Sequence, residues 1–85
     1  MSIQKESKKI ITYLLDQAIS TGDLTASFFV KYDELANELG LDSENLCRVC
    51  FQYLDQLHYI RIIRNDNGYR LVTLNATGID FLESN

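Results

Sequence analysis

Apolar side chains recur at helical spacing near the start of the chain. They are Ile10, Ile11, Leu14, Leu15, Ala18 and Ile19. Gly22 follows at a position suited to the end of a helix, so the spacing predicts a helix over residues 4–20. The next apolar segment, residues 26–32, is aromatic and β-branched and too short for a helix. It predicts a brief strand.

The middle of the chain predicts two helices joined by a tight turn. Asp33 is positioned to cap the first, which ends at Gly40. Asp42 and Ser43 are two candidate caps for the second, which reaches about Leu57. The residues expected to face inward are Leu35, Ala36 and Leu39 on the first helix, and Leu46, Val49, Cys50, Tyr53, Leu54 and Leu57 on the second. This pattern leaves Cys47, Arg48 and Phe51 pointing outward.

The last third of the chain changes to strand-like periodicity. Residues 59–64 are rich in β-branched side chains, residues 65–68 form a strong turn signal, and residues 69–74 predict a second strand. These features predict a β-hairpin. Asn75 can cap a last short helix. The side chains that this helix offers to the core are Ile79, Phe81 and Leu82.

Composition limits the classes of protein that fit. The chain has 85 residues, 46% of them hydrophobic, which allows one packed domain and one core. No apolar run approaches the roughly 18 residues that a membrane span needs, and the first ten residues are too polar for a secretory signal. We therefore expect a cytoplasmic protein without a membrane partner, whose two cysteines are reduced.

Net charge counts against attraction to nucleic acid over the whole surface. The formal charge is −4. A local basic patch remains compatible with that charge. Three of the eight basic residues, Arg61, Arg64 and Arg70, lie in the predicted hairpin, with Arg64 and Arg70 flanking its turn.

Catalytic and metal-binding patterns are weak. Cys47 and Cys50 have a C-x-x-C spacing, but a zinc site built from them and His58 lacks a fourth ligand. A disulfide between positions i and i+3 of a regular helix has unfavourable geometry. The chain has no Gly-rich phosphate loop, no Ser/His/Asp set and no paired carboxylates. We expect neither an enzyme nor a bound cofactor or metal.

The predicted pair of helices carries a family resemblance. Its apolar and small residues, with a glycine in the turn, follow a pattern found in one DNA-binding family. The matching residues are Leu35, Ala36, Leu39, Gly40, Leu41, Leu46 and Val49. The chain resembles the winged helix-turn-helix family of small bacterial or phage type. The resemblance implies one α+β domain over residues 1–85, with a three-helix core, a helix-turn-helix at about 33–57, a hairpin wing at about 59–74 and a short C-terminal helix.

Two further segments match that family. Residues 57–60 resemble the family's Leu-Gly-Tyr-Ile exit from the second helix, with His58 where glycine is usual. A left-handed backbone is expected there, and His tolerates it better than most residues. Residues 74–82 resemble the family's Leu-Thr-x-x-Gly-x-x-Phe-Leu ending, with Asn75 in place of the threonine.

The resemblance implies sequence-specific binding of double-stranded DNA by a small transcriptional regulator. In the family the second helix enters the major groove, and the hairpin contacts the backbone or the minor groove. Carried over to this chain, Arg48 would read guanine, and Asn45 or Gln52 would read adenine. The expected phosphate contacts are Ser43, Arg64 and Arg70. A homodimer through the first helix and the last segment is also implied.

A winged helix that binds protein instead of DNA is the alternative. The acidic composition favours it, as do Asp42 and Glu44 at the start of the second helix, where they oppose phosphates. The predicted exposure of Phe51 is a third argument, since an exposed aromatic side chain suits a protein interface.

Overall fold

The computed structural model describes the backbone of residues 2–66 and 69–83, and the side chains of residues 2–63 and 71–83. Over these residues the chain forms a small α+β domain of four helices and a three-stranded antiparallel sheet, which confirms the predicted class. The elements are α1 (Ile3–Thr21), β1 (Ser27–Lys31), α2 (Tyr32–Leu39), α3 (Glu44–Gln56), β2 (Ile60–Asp66), β3 (Tyr69–Leu74) and α4 (Ala76–Glu83).

Helix α1 matches its predicted bounds and is capped at both ends. The hydroxyl of Ser2 accepts the Lys5 amide, and Gly22 ends the helix in the left-handed region at φ 72°. Its buried side is formed by Ser7, Ile10, Ile11, Leu14 and Ala18. Ile19 continues the apolar spacing in the sequence but is 69% exposed. It lies about 100° around the helix from Ala18, beyond the packed side.

Helix α2 begins one residue before its predicted cap. Tyr32 is its first residue and is fully buried, so packing sets the start of the helix. Asp33 lies in the first turn, where its carboxylate accepts the amide of Glu34 at 2.8 Å. The predicted end is confirmed, since Gly40 is left-handed at φ 72°.

The sheet has the strand order β1-β3-β2. Ile62 pairs with Val72 and Arg64 pairs with Leu71, so Ile63 is an extra residue in β2. Such a bulge increases the local twist of a hairpin. Asp66 pairs with Tyr69, which leaves only residues 67–68 to connect the strands. The predicted four-residue turn was therefore wrong at residues 65 and 66, which belong to β2; residues 67 and 68 lie outside the described part.

The core lies between the sheet and the first three helices. Val30, Ile60, Val72 and Leu74 cover the inner side of the sheet and are almost completely buried. Helix α4 packs on α1 and contributes the predicted apolar side chains, which are partly buried against the core: Ile79, Phe81 and Leu82.

Candidate functional site

The buried side of α3 differs from the predicted one. Cys47, Cys50, Phe51 and Leu54 are all fully buried. The predicted outward positions of Cys47 and Phe51 were wrong, and Val49, predicted in the core, is 46% exposed. The physical reason is a contact from α2. The ring of Tyr32 packs on Phe51 with centroids 5.1 Å apart, which turns that side of α3 inward.

The opposite side of α3 is a continuous exposed surface. Asn45, Val49, Gln52 and Gln56 recur at i, i+4, i+7 and i+11, and all four are exposed. We call these four residues the outer face of α3. The face runs for about 16 Å along the helix axis. It carries no charge, and its three carboxamides supply both hydrogen-bond donors and acceptors. Asn45 and Gln52 were predicted to contribute, whereas Val49 and Gln56 were not.

Arg48 lies beside the outer face instead of at its centre. Its Nη2 donates to the Oε2 of Glu44 at 2.9 Å. Its guanidinium carbon lies 5.6 Å from the centroid of the Tyr32 ring. Its Nε is buried, with no hydrogen-bond partner among the described residues. Arg48 was predicted to point outward. Its side chain is 39% exposed, and the ion pair and the ring hold its guanidinium beside the outer face.

Ser43 begins α3 as its cap. Its Oγ accepts the amide of Leu46 at 3.0 Å. Of the two predicted candidates, Asp42 and Ser43, the cap is therefore Ser43. The hydroxyl proton remains able to donate to a ligand at the helix start. Asp42 is exposed next to it, and the negative charge of Glu44 is offset by Arg48.

The hairpin lies directly after α3 in the chain and carries the predicted basic residues. Arg61 is exposed on β2 and pairs in register with Thr73 of β3. The backbones of Arg64 and Arg70 lie on the two paired strands, close to the tip. The side chains of Arg64 and Arg70 lie outside the described part of the structure.

The link from α3 to the hairpin is held by the segment that leads into α4. His58 has φ 62°, which confirms the predicted left-handed position. Its carbonyl accepts two hydrogen bonds, one from the Nδ2 of Asn75 at 2.9 Å and one from the Oγ1 of Thr77 at 2.7 Å. A Cβ at Gly78 would lie 2.5 Å from the carbonyl oxygen of Tyr59, so only glycine fits this contact. The segment thereby fixes how α3 meets the hairpin.

The two thiols are in the core below the outer face. Burial raises the pKa of Cys47 to about 12, and the neighbouring Cys50 and Glu44 add to the effect. Burial also raises the pKa of Cys50, while an interaction with Ser7 opposes that shift. Thiols of this kind are poor nucleophiles and poor metal ligands at neutral pH. Among the residues that the structure describes, no cluster of three His, Cys, Asp or Glu side chains could hold a metal ion.

Comparisons with known proteins add no identification. No protein-family model matches the chain, and no curated protein or solved structure matches it either. Within the described part of the chain, no helix combines the length and the apolar character needed to cross a membrane.

Proposed function

We propose that the chain is a winged helix-turn-helix domain that binds double-stranded DNA and acts as a small transcriptional regulator. The order of its elements supports this: helix, strand, two helices joined by a glycine turn, hairpin and short helix. In this proposal α3 enters the major groove and the hairpin follows the phosphate backbone.

The outer face of α3 carries the proposal. It is exposed, polar and uncharged, and it lies on a helix that is capped at Ser43 and packed on the core through its opposite side. A major groove about 12 Å wide admits one helix. Carboxamide side chains, which have both a donor and an acceptor, are among those that distinguish base pairs there.

The negative net charge limits the strength of this binding. At the start of α3 the charge of Glu44 is balanced by Arg48, while Asp42 still opposes phosphates. The hairpin arginines would supply most of the attraction. We propose that a homodimer, formed through α1 and the last segment, adds the affinity that one small module lacks. A regulator of this kind would act in the cytoplasm.

Binding to random-sequence duplex DNA at increasing salt tests the proposal. We expect an affinity that falls steeply between about 50 and 200 mM salt, because binding releases counterions. Arg61→Ala and Arg64→Ala should each weaken binding to all sequences and lower the salt slope by about 1. Lys5→Ala removes the same charge from α1 and is the matched control, provided that sedimentation shows its oligomeric state to be that of the unmodified protein. Absence of salt-dependent binding would overturn the proposal.

A protein-binding domain is the second candidate function. The burial of Phe51 removes one argument for it, but Phe29 on β1 is 68% exposed and Ile63 on β2 is 49% exposed. Exposed apolar side chains of this size suit a protein interface. A chain that binds no duplex at low salt, with the fold intact by circular dichroism, would favour this second function.

A further inference from the structure

We propose that the outer face of α3 reads A·T base pairs. Asn45 and Gln52 recognise adenine, and Val49 contacts the methyl group of thymine. This inference rests on the DNA-binding function proposed above and deepens it, because it names the base pairs that the site selects and adds Val49 as a residue that determines specificity.

The carboxamides of the outer face match adenine and not guanine. In the major groove adenine offers one acceptor, N7, and one donor, the N6 amino group. A carboxamide has one donor group and one acceptor and pairs with both. Guanine offers two acceptors, N7 and O6, which call for the two donors of an arginine. Asn45 and Gln52 are exposed at the N-terminal and middle turns of α3, from which helices of this type reach base edges.

Val49 supplies the complementary contact. It is 46% exposed and lies between the two carboxamides, one helical turn after Asn45. Four residues of helix advance about 6 Å along the axis. That is close to two base-pair steps of about 3.4 Å. A valine side chain offers no hydrogen bond but fits against the C5-methyl group of thymine, which only A·T pairs present.

The two charged side chains best placed to read a G·C pair are engaged with each other. Arg48 is the only basic residue of α3, and it is held by Glu44 at 2.9 Å and by the ring of Tyr32. To reach guanine it would have to leave both partners. Glu44 would have to give up the same ion pair to accept a hydrogen bond from cytosine. The remaining acid of α3, Asp55, accepts the backbone amide of Ile62 at 3.4 Å.

Selection of bound duplexes from a random pool gives the first test. We expect A·T pairs at the central positions of the selected site. Asn45→Ala and Gln52→Ala should each lower the preference for the selected site over a G·C-substituted duplex by about five- to 150-fold, the range measured for one bidentate base contact. Replacing adenine by 7-deaza-adenine removes the N7 acceptor from the major groove only, so it separates this contact from minor-groove readout by the hairpin.

A duplex in which uracil replaces thymine tests the proposed contact between Val49 and the thymine methyl group. The replacement removes only the C5-methyl group, so it should weaken binding of the unmodified protein by about fourfold, the effect of one buried methyl group. The variant Val49→Ser, which has no methyl group to place against thymine, should bind the two duplexes equally. An equal response of both proteins to uracil would overturn the role of Val49.

Release of Arg48 is the third test. Glu44→Ala removes the ion-pair partner, and we expect G·C pairs to enter the selected site. Glu38→Ala, on the exposed side of α2, removes the same charge without touching Arg48 and should leave the selected sequence unchanged. Thermal unfolding of every variant checks that the fold is intact. We expect it to be, because each substituted side chain is exposed.

The outcomes separate the two proposals. Salt-dependent binding with G·C-rich selected sites, or an A·T preference that survives in both Asn45→Ala and Gln52→Ala, overturns the A·T readout and leaves DNA binding standing. Failure to bind any duplex at low salt overturns DNA binding itself, and the readout with it.

Discussion

The two ends of α3 are fixed in different ways, although a left-handed residue lies near each. Gly40 precedes the helix at φ 72°, and a Cβ added there would meet nothing within 4 Å. Ser43 directly precedes the first residue of the helix, and its hydroxyl accepts the amide of Leu46, three residues later. At the other end His58 adopts φ 62° without being glycine, and its carbonyl is held by residues 17 and 19 positions later.

The difference is one between local and long-range control. The first end depends on residues that are neighbours in sequence, so it can form with the helix itself. The second end depends on Asn75, Thr77 and Gly78, which approach only when α4 packs. Since the hairpin begins at Ile60, α4 sets the angle between α3 and the hairpin. Changes in α4 should therefore affect both stability and the proposed binding of DNA.

Gly78→Ala is expected to have the largest effect on this arrangement. The new methyl carbon would lie 2.5 Å from the backbone oxygen of Tyr59 and 2.9 Å from the Cδ1 of Leu74, so the backbone of one segment must move. We expect a loss of about 3 kcal/mol in the free energy of unfolding. Urea unfolding measures it. Gly22→Ala, where the new carbon meets nothing and only the left-handed backbone is strained, is the control and should lose about 1 kcal/mol. Equal losses would contradict long-range control at Gly78.

Thr77→Val is expected to have a smaller effect at the same end. It removes the 2.7 Å hydrogen bond to the His58 carbonyl and keeps the shape of the side chain. We expect a loss of about 1 kcal/mol. Amide hydrogen exchange should quicken at Tyr59, which bonds to Leu54 across the exit of α3.

The matched control for Thr77 is Thr12→Val. It removes a hydrogen bond to Lys8 within α1 at 2.9 Å and should leave exchange at Tyr59 unchanged. If both variants quicken exchange there to the same extent, the bond from Thr77 has no special role in holding the exit.

Opposite substitutions at Gly40 and His58, the left-handed residues near the two ends of α3, should change the free energy of unfolding least and with opposite signs. Left-handed backbone costs a residue with a Cβ about 1–2 kcal/mol. The extra freedom of glycine in the unfolded chain offsets about 0.4–1 kcal/mol of that cost. His58→Gly should therefore raise the free energy of unfolding by about 0.5–1 kcal/mol, and Gly40→Ala should lower it by a similar amount. A loss of stability in His58→Gly would mean that the histidine side chain makes a contribution larger than its strain.

Most of the element boundaries could be predicted because they depend on local signals. The helix of Ile3–Thr21, the strand of Tyr69–Leu74 and the left-handed residue Gly40 all agree with the sequence patterns. The left-handed backbone of His58 was expected from the family resemblance and not from a local signal. The extra residue Ile63 in β2 could not be predicted, since β-branched residues fill that strand on both sides of the bulge. The carboxamide positions Asn45 and Gln52 of the outer face were predicted, but Val49 was assigned to the core.

The sequence by itself determined the elements, their order and the helix ends at Gly22 and Gly40, because caps, glycines and periodicity act between residues close in the chain. Only the tertiary structure decided which side of α3 is buried. Two apolar stripes share Cys50 and Leu54 on that helix, and rotation about its axis exchanges one stripe for the other. The contact of Tyr32 with Phe51 selects the stripe that buries Cys47 and exposes Val49, and the same contact brings Arg48 against the Tyr32 ring.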